Sequence, residues 1–291
     1  MNKAPIIIIG MHRSGTSLLS DLLMELGMFT GKRRGIHAEA DLYVRLNNWL
    51  LSQLGISWDV PFAINDFYAK NNDSEFDLFA TYLNMVLDSP LKYKFNGPIR
   101  RIFKPNEVWG FKDPISSLTL PFWLSVYPEA KIIYIKRHGI AVAESLRVRN
   151  KNKLVKSNRR LKSNVLYKPY LIYQQYFLRS PRNRGFIDSA YCKNIDYSMR
   201  LWDFYNEQCQ DHIGNLPKSQ KIELKYEDLL INPKDELLKI VELIGPEFQI
   251  DLGQIENISE KINPKRAYDF KKKFEESEIL RHEEVLNKYN Y

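Results

Sequence analysis

Cysteine is almost missing from this chain: two in 291 residues, Cys192 and Cys209, 17 positions apart and without a Cys-x-x-Cys partner. Such a pair builds no disulfide framework, and a reducing, cytoplasmic setting is the expectation. Long hydrophobic runs are missing too. The first, Ile6 to Ile9, stops after four residues at Gly10, against about 20 for a bilayer span. Met1 to Pro5 leads straight into that run and carries neither the apolar core nor the cleavage site of a signal peptide. A cytoplasmic chain is expected, with a form trimmed of a membrane anchor left open. Repeats and low-complexity segments are absent, and 44% hydrophobic content excludes a disordered chain. The length suits one domain over residues 1–291.

Acid is missing where base is concentrated. Residues 147–184 hold twelve Lys/Arg and no Asp or Glu, so the formal charge of +8 is local and the remainder is acidic on balance. We read this stretch as a basic insertion that attracts anions: nucleic acid, an acidic glycan or a phosphorylated cofactor. A solvated basic loop explains it equally well. Tyr167, Tyr170, Tyr173, Tyr176 and Phe177 interleave its later part. They suit stacking on bases or sugars, but a helix packed on the core is the preferred reading.

The Ile-rich run closed by glycine is the pattern of a strand buried on both faces of a parallel sheet. A helix follows over 16–27, with Leu18, Leu19, Leu22, Leu23 and Leu26 at helical spacing. Further helices are expected over 41–54, 118–127, 140–148, 189–213 and 233–244, and strands over 108–111, 131–135 and 221–224. Residues 251–291 read as a loop and a terminal helix. Strand and helix alternate, which predicts an α/β fold with a central parallel sheet flanked by helices.

Gly10-Met11-His12-Arg13-Ser14-Gly15-Thr16-Ser17 links the first strand to the first helix, with glycines at the spacing of a nucleotide P-loop. Such a loop curls several N–H groups around one anion and adds the positive end of the helix. The lysine of triphosphatases is missing, and Thr16 takes its place. Without that lysine or a clear magnesium-binding aspartate, triphosphate hydrolysis is disfavoured. A phosphate ester bound without metal is the expectation. Further along, Arg137 follows a strand and Ser145 comes eight residues later on a helix. A guanidinium fork and a hydroxyl can hold one phosphate dianion from two sides; Arg149, one turn on, can join them.

These blocks, with Phe111-Lys112-Asp113-Pro114 and Leu224-Lys225-Tyr226-Glu227-Asp228-Leu229, resemble the sulfotransferases that use 3'-phosphoadenosine 5'-phosphosulfate (PAPS). The loop is most similar to the bacterial carbohydrate-type branch, and the motif order to the tyrosylprotein sulfotransferases. The resemblance implies a P-loop-containing sulfotransferase-like fold and sulfuryl transfer from PAPS to a hydroxyl, on a carbohydrate or glycolipid, with adenosine 3',5'-bisphosphate (PAP) as product and no metal. It implies that Arg13, Ser14, Gly15, Thr16 and Ser17 hold the 5'-phosphosulfate, and that Arg137 and Ser145 bind the 3'-phosphate. Arg13 and Lys112 supply positive charge to the sulfuryl and bridging oxygens as catalytic groups, and Tyr226 lies near the adenosine or in the core. In the bacterial branch an arginine often follows the Lys-Asp-Pro; here Ile115 does.

The resemblance implies that the base that takes the acceptor proton, a carboxylate or histidine, lies after the first helix. Glu39 is the first candidate and His37 the second, with Asp41 beside them. His12 and His138 read as packing residues and Asp113 as a helix cap, while Lys265 and Arg266 match a basic loop of related enzymes only weakly. Two rivals stand: a P-loop kinase, and a nucleic-acid-binding protein that uses the basic stretch.

Overall fold

The computed structural model describes residues 4–30, 40–70, 73–90, 108–163, 165–177, 186–246, 248 and 250–291. Four strands, β1 (Ile6–Ile9), β2 (Gly110–Lys112), β3 (Lys131–Lys136) and β4 (Lys221–Lys225), pair in parallel in the order β2-β1-β3-β4. The helices are α1 (Thr16–Glu25), α2 (Asp41–Gln53), α3 (Ile64–Ala69), α4 (Asp73–Asp88), α5 (Ser116–Val126), α6 (Gly139–Ser163), α7 (Tyr167–Phe177), α8 (Ile195–Gly214), α9 (Tyr226–Ile231), α10 (Pro233–Ile244), α11 (Leu252–Glu260), α12 (Glu276–Leu280) and α13 (Glu283–Asn287). None of the described helices is long and apolar enough to cross a membrane.

The all-isoleucine β1 is central because both of its faces are covered. Side chains alternate across a strand, so Ile6 and Ile8 pack with Leu19, Leu22 and Leu23 of α1 and Leu237 and Ile240 of α10. Ile7 and Ile9 face Leu46 and Leu50 of α2 and Trp123 of α5 on the other side. Parallel strands all point their carboxyl ends one way, and the segments after β1, β2 and β3 therefore meet at one edge.

Several expectations need correction. Over its described residues the basic stretch is mainly helical: α6 continues to Ser163, because the chain offers no glycine or proline between Ile140 and Lys168. The aromatics of α7 are not core; Tyr170, Tyr173, Tyr176 and Phe177 are all exposed. The helix read over 189–213 starts at Ile195, since Asn194 caps it by accepting the Tyr197 N–H at 3.1 Å. Cys192 thus precedes the helix that carries Cys209, and both are buried and unpaired. Residues 251–291 form a series of short helices and two 3-10 turns, Pro264–Arg266 and Asp269–Lys272, with no single terminal helix. Helices α3, α4 and α9 were not anticipated.

Candidate functional site

The loop after β1 is set by backbone demands. Gly10 has φ 143°, and a Cβ there would lie 2.2 Å from the Ile135 carbonyl oxygen. Its N–H donates to Ser117 Oγ at 2.9 Å, and Ser14 N–H to the Met11 carbonyl at 3.1 Å. Gly15 has φ 102°, and a Cβ would meet the Tyr226 ring at 2.2 Å. Only glycine fits there. Arg13, between them, is left-handed at φ 73°, a strained state for a side-chain-bearing residue. The Ser14 hydroxyl is buried in this curl without a hydrogen-bond partner among the described residues.

That backbone sends the Arg13 side chain sideways, where its Nε donates to Ser145 Oγ on α6 at 2.8 Å. Arg137, just past β3, donates from Nη1 to the Arg13 carbonyl at 3.3 Å, and its guanidinium lies 4.5 Å over the Tyr226 ring. Arg149 stands one turn beyond Ser145, paired with Asp188 at 2.9 Å. Arg13, Arg137, Ser145 and Arg149 line one open cavity of about 360 Å³, with Phe270, Lys273 and the carboxylates of Glu144 and Asp269 also on its wall. Burial and the charges of Arg149 and Arg137 hold the Arg13 guanidinium below its ordinary range. Clustered cations of this kind form a site where a dianion relieves repulsion. The buried Arg137 Nε, without a hydrogen-bond partner among the described residues, adds a donor.

Lys112 ends β2 on the other side of the loop. It is 1% exposed, with Nζ donating to Ser17 Oγ at 3.2 Å. Asp113 beside it accepts the Ile115 N–H at 3.0 Å and Asn47 Nδ2 at 2.9 Å; it is not the cap expected, since Ile115 is the N-cap of α5 and the helix has no side-chain cap bond. Asn47, on α2, further donates to Ser116 Oγ and accepts from Thr119 Oγ1 and Trp123 Nε1. Its amide is saturated, and α2 is pinned to the Lys112-Asp113 turn. Glu39 and His37 lie outside the described residues, which resume at Ala40, one residue before α2.

His12 packs edge-on against Trp58 at 4.7 Å, and the Arg149 guanidinium lies 5.0 Å over the same indole. The His138 ring is buried against Phe270 at 4.3 Å, and its backbone N–H donates to Glu227 Oε1. Burial, with Lys271 and Arg137 nearby, drops its pKa to about 4. Both are packing residues, as read. Lys265 and Arg266 are exposed on their 3-10 turn; the residue that reaches the cavity is Lys273. Trp58, Asp188, Phe270 and Lys273 were missed, and only the Lys271-Lys272-Lys273 run gave any signal for them.

The described sequence-read residues therefore meet at one sheet edge: a glycine loop and a buried lysine on one side, an arginine cluster with a serine on the other. That geometry can hold two anionic groups of one ligand. No curated protein matches the chain at a significant level. Among solved structures, the sulfotransferase domain from the Synechococcus PCC 7002 olefin synthase matches with 16% identity and TM-score 0.48, covering 100% of this chain and 96% of that one. The sulfotransferase domain from the curacin biosynthetic pathway matches at 16% and 0.43, covering 87% and 80%. The sulfotransferase from Alicyclobacillus acidocaldarius matches at 14% and 0.41, covering 87% and 85%. A family model described as "Sulfotransferase family" matches residues 5–249, a span that takes in the loop, Lys112, Arg137 with Ser145, and Tyr226: the chain belongs to the sulfotransferase family.

Proposed function

We propose that the protein moves a sulfuryl group from PAPS to a hydroxyl on a carbohydrate or glycolipid acceptor. The observation that carries this reading is the second anion site. Arg13, Arg137 and Arg149 gather with Ser145 in a cavity beside the glycine loop, and a nucleotide with a 3'-phosphate as well as a 5'-group has charges to fill both. A magnesium-ATP kinase would lack its loop lysine, Thr16 standing in that place.

On this reading the loop from Gly10 to Ser17 holds the 5'-phosphosulfate through backbone N–H groups and the Ser14 hydroxyl. Arg137, Ser145 and Arg149 hold the 3'-phosphate, and Arg13 spans the two sites through its contact with Ser145. Tyr226, wedged between Gly15 and Arg137, keeps the two at fixed separation. In transfer, the bond from sulfur to the bridging phosphate oxygen breaks as the acceptor oxygen bonds to sulfur; PAP leaves and the acceptor proton passes to a base. Lys112, buried beside Ser17, stabilises the charge that grows on the bridging oxygen, in surroundings where that charge is worth most. Glu39 is the proposed base and His37 the alternative, from the segment before α2. The two buried, unpaired cysteines favour a reducing, cytoplasmic setting.

The test is PAP release from PAPS with sugar and glycolipid acceptors. Lys112→Ala should lower kcat by about 100-fold or more. Arg137→Ala should chiefly raise the donor KM, by roughly 10- to 100-fold for the loss of a charged hydrogen bond. An unchanged donor KM in Arg137→Ala would remove the 3'-phosphate assignment.

A further inference from the structure

The outer half of α6 and the whole of α7 form an arm whose side chains mostly face solvent. Val165, Leu166 and Phe177 are 86%, 77% and 71% exposed, and Leu154, Val155 and Ile172 are exposed as well. On α7, Tyr167 stacks on Tyr170 at 6.5 Å and Tyr173 on Phe177 at 5.2 Å, a spacing of three, three and four that makes one aromatic stripe down the helix. Lys151, Lys156, Arg159, Arg160, Lys162 and Lys168 surround these residues, all exposed, with no acid on either helix beyond Glu144 at the root of α6.

We propose that this arm docks the protein on anionic lipid bilayers, lying in the headgroup region without spanning it. The charge is complementary to such a surface, and each nearby Lys or Arg adds to the attraction. The bare aliphatics decide the class of partner. Phosphates and bases would use the cations and rings but leave Leu154, Val155, Val165, Leu166 and Ile172 in water, whereas the acyl boundary takes them up. A second copy of the chain would bring two acid-free basic faces together, which repel. Tyrosines with an apolar body and a polar tip suit the interface, and α7, 11 residues long, is far too short to span. Ser145 and Arg149 lie on the same α6, which ends about 20 Å beyond Arg149 at 1.5 Å per residue. A glycolipid acceptor in that bilayer would come within reach. This last point rests on the proposed function; the docking itself does not.

The test is flotation of the full chain with vesicles of phosphatidylcholine alone and with phosphatidylglycerol added. Binding is expected only to the anionic vesicles and should weaken as salt rises. Tyr173→Ser/Phe177→Ser should weaken it about tenfold or more, and Lys156→Glu/Arg159→Glu/Arg160→Glu should abolish it, with circular dichroism and turnover of a soluble acceptor unchanged in both. Absence of wild-type flotation on anionic vesicles would overturn the proposal. So would full binding by the Tyr173/Phe177 variant, since charge alone would then be at work; anisotropy with a labelled oligonucleotide would identify nucleic acid as the ligand instead.

Discussion

Arg13 combines two unfavourable states. Its backbone is left-handed, which costs roughly 1–2 kcal/mol without glycine's freedom, and its charge sits beside Arg137 and Arg149. Both are accepted because the φ turns the guanidinium onto Ser145. Arg13→Gly should therefore leave the melting temperature of the protein alone almost unchanged, as strain relief offsets glycine's entropy in the unfolded chain. The stabilisation given by PAP should be lost; its survival would show that Arg13 holds no anion. The motifs made Arg13, Lys112, Arg137 and Ser145 legible, because each sits at a strand end or in the loop or helix that directly follows one. Trp58, Phe270 and Lys273 were not, since distant segments deliver them and nothing local marks the destination.

At the scale of elements, Asn47 ties α2, α5 and the Lys112-Asp113 turn into one unit. Asn47→Ala would strand the partners Asp113, Thr119 and Trp123. A loss of about 2–4 kcal/mol is expected from chemical denaturation, with kcat falling as Lys112 loses its fixed place. A neutral effect on both would show that the network is incidental. The strands and α10 were readable from apolar runs, Pro233 and Gly245. Helix α6 beyond Val148 was not, because its outer turns bury little and so carry no apolar period; the missing breakers were the better guide. Aromatic content wrongly placed α7 in the core, a reminder that composition does not say which side of a helix finds a partner.

For the whole molecule, two histidines, His138 buried and His212 partly buried, tie stability to pH. His138, and His212 packed against Tyr68, have pKa values lowered to about 4, in each case chiefly by burial. The unfolded chain binds protons at these residues from about pH 6.5 downward while the folded protein does not. Stability should hold above about pH 6.5 and fall as pH drops toward 4, by on the order of 1–3 kcal/mol per histidine. Melting curves between pH 7 and pH 4 check this, and His212→Gln should flatten the slope.

The sheet brings the glycine loop and the arginine cluster to one edge, and the central claim is that they bind one nucleotide through two phosphates. Calorimetric titration with PAP, set beside AMP and magnesium-ATP, tests that claim most directly. The account predicts metal-independent binding of PAP, at least about tenfold tighter than AMP, with the difference lost in Arg137→Ala. Equal affinity for PAP and AMP, or preference for magnesium-ATP, would contradict it.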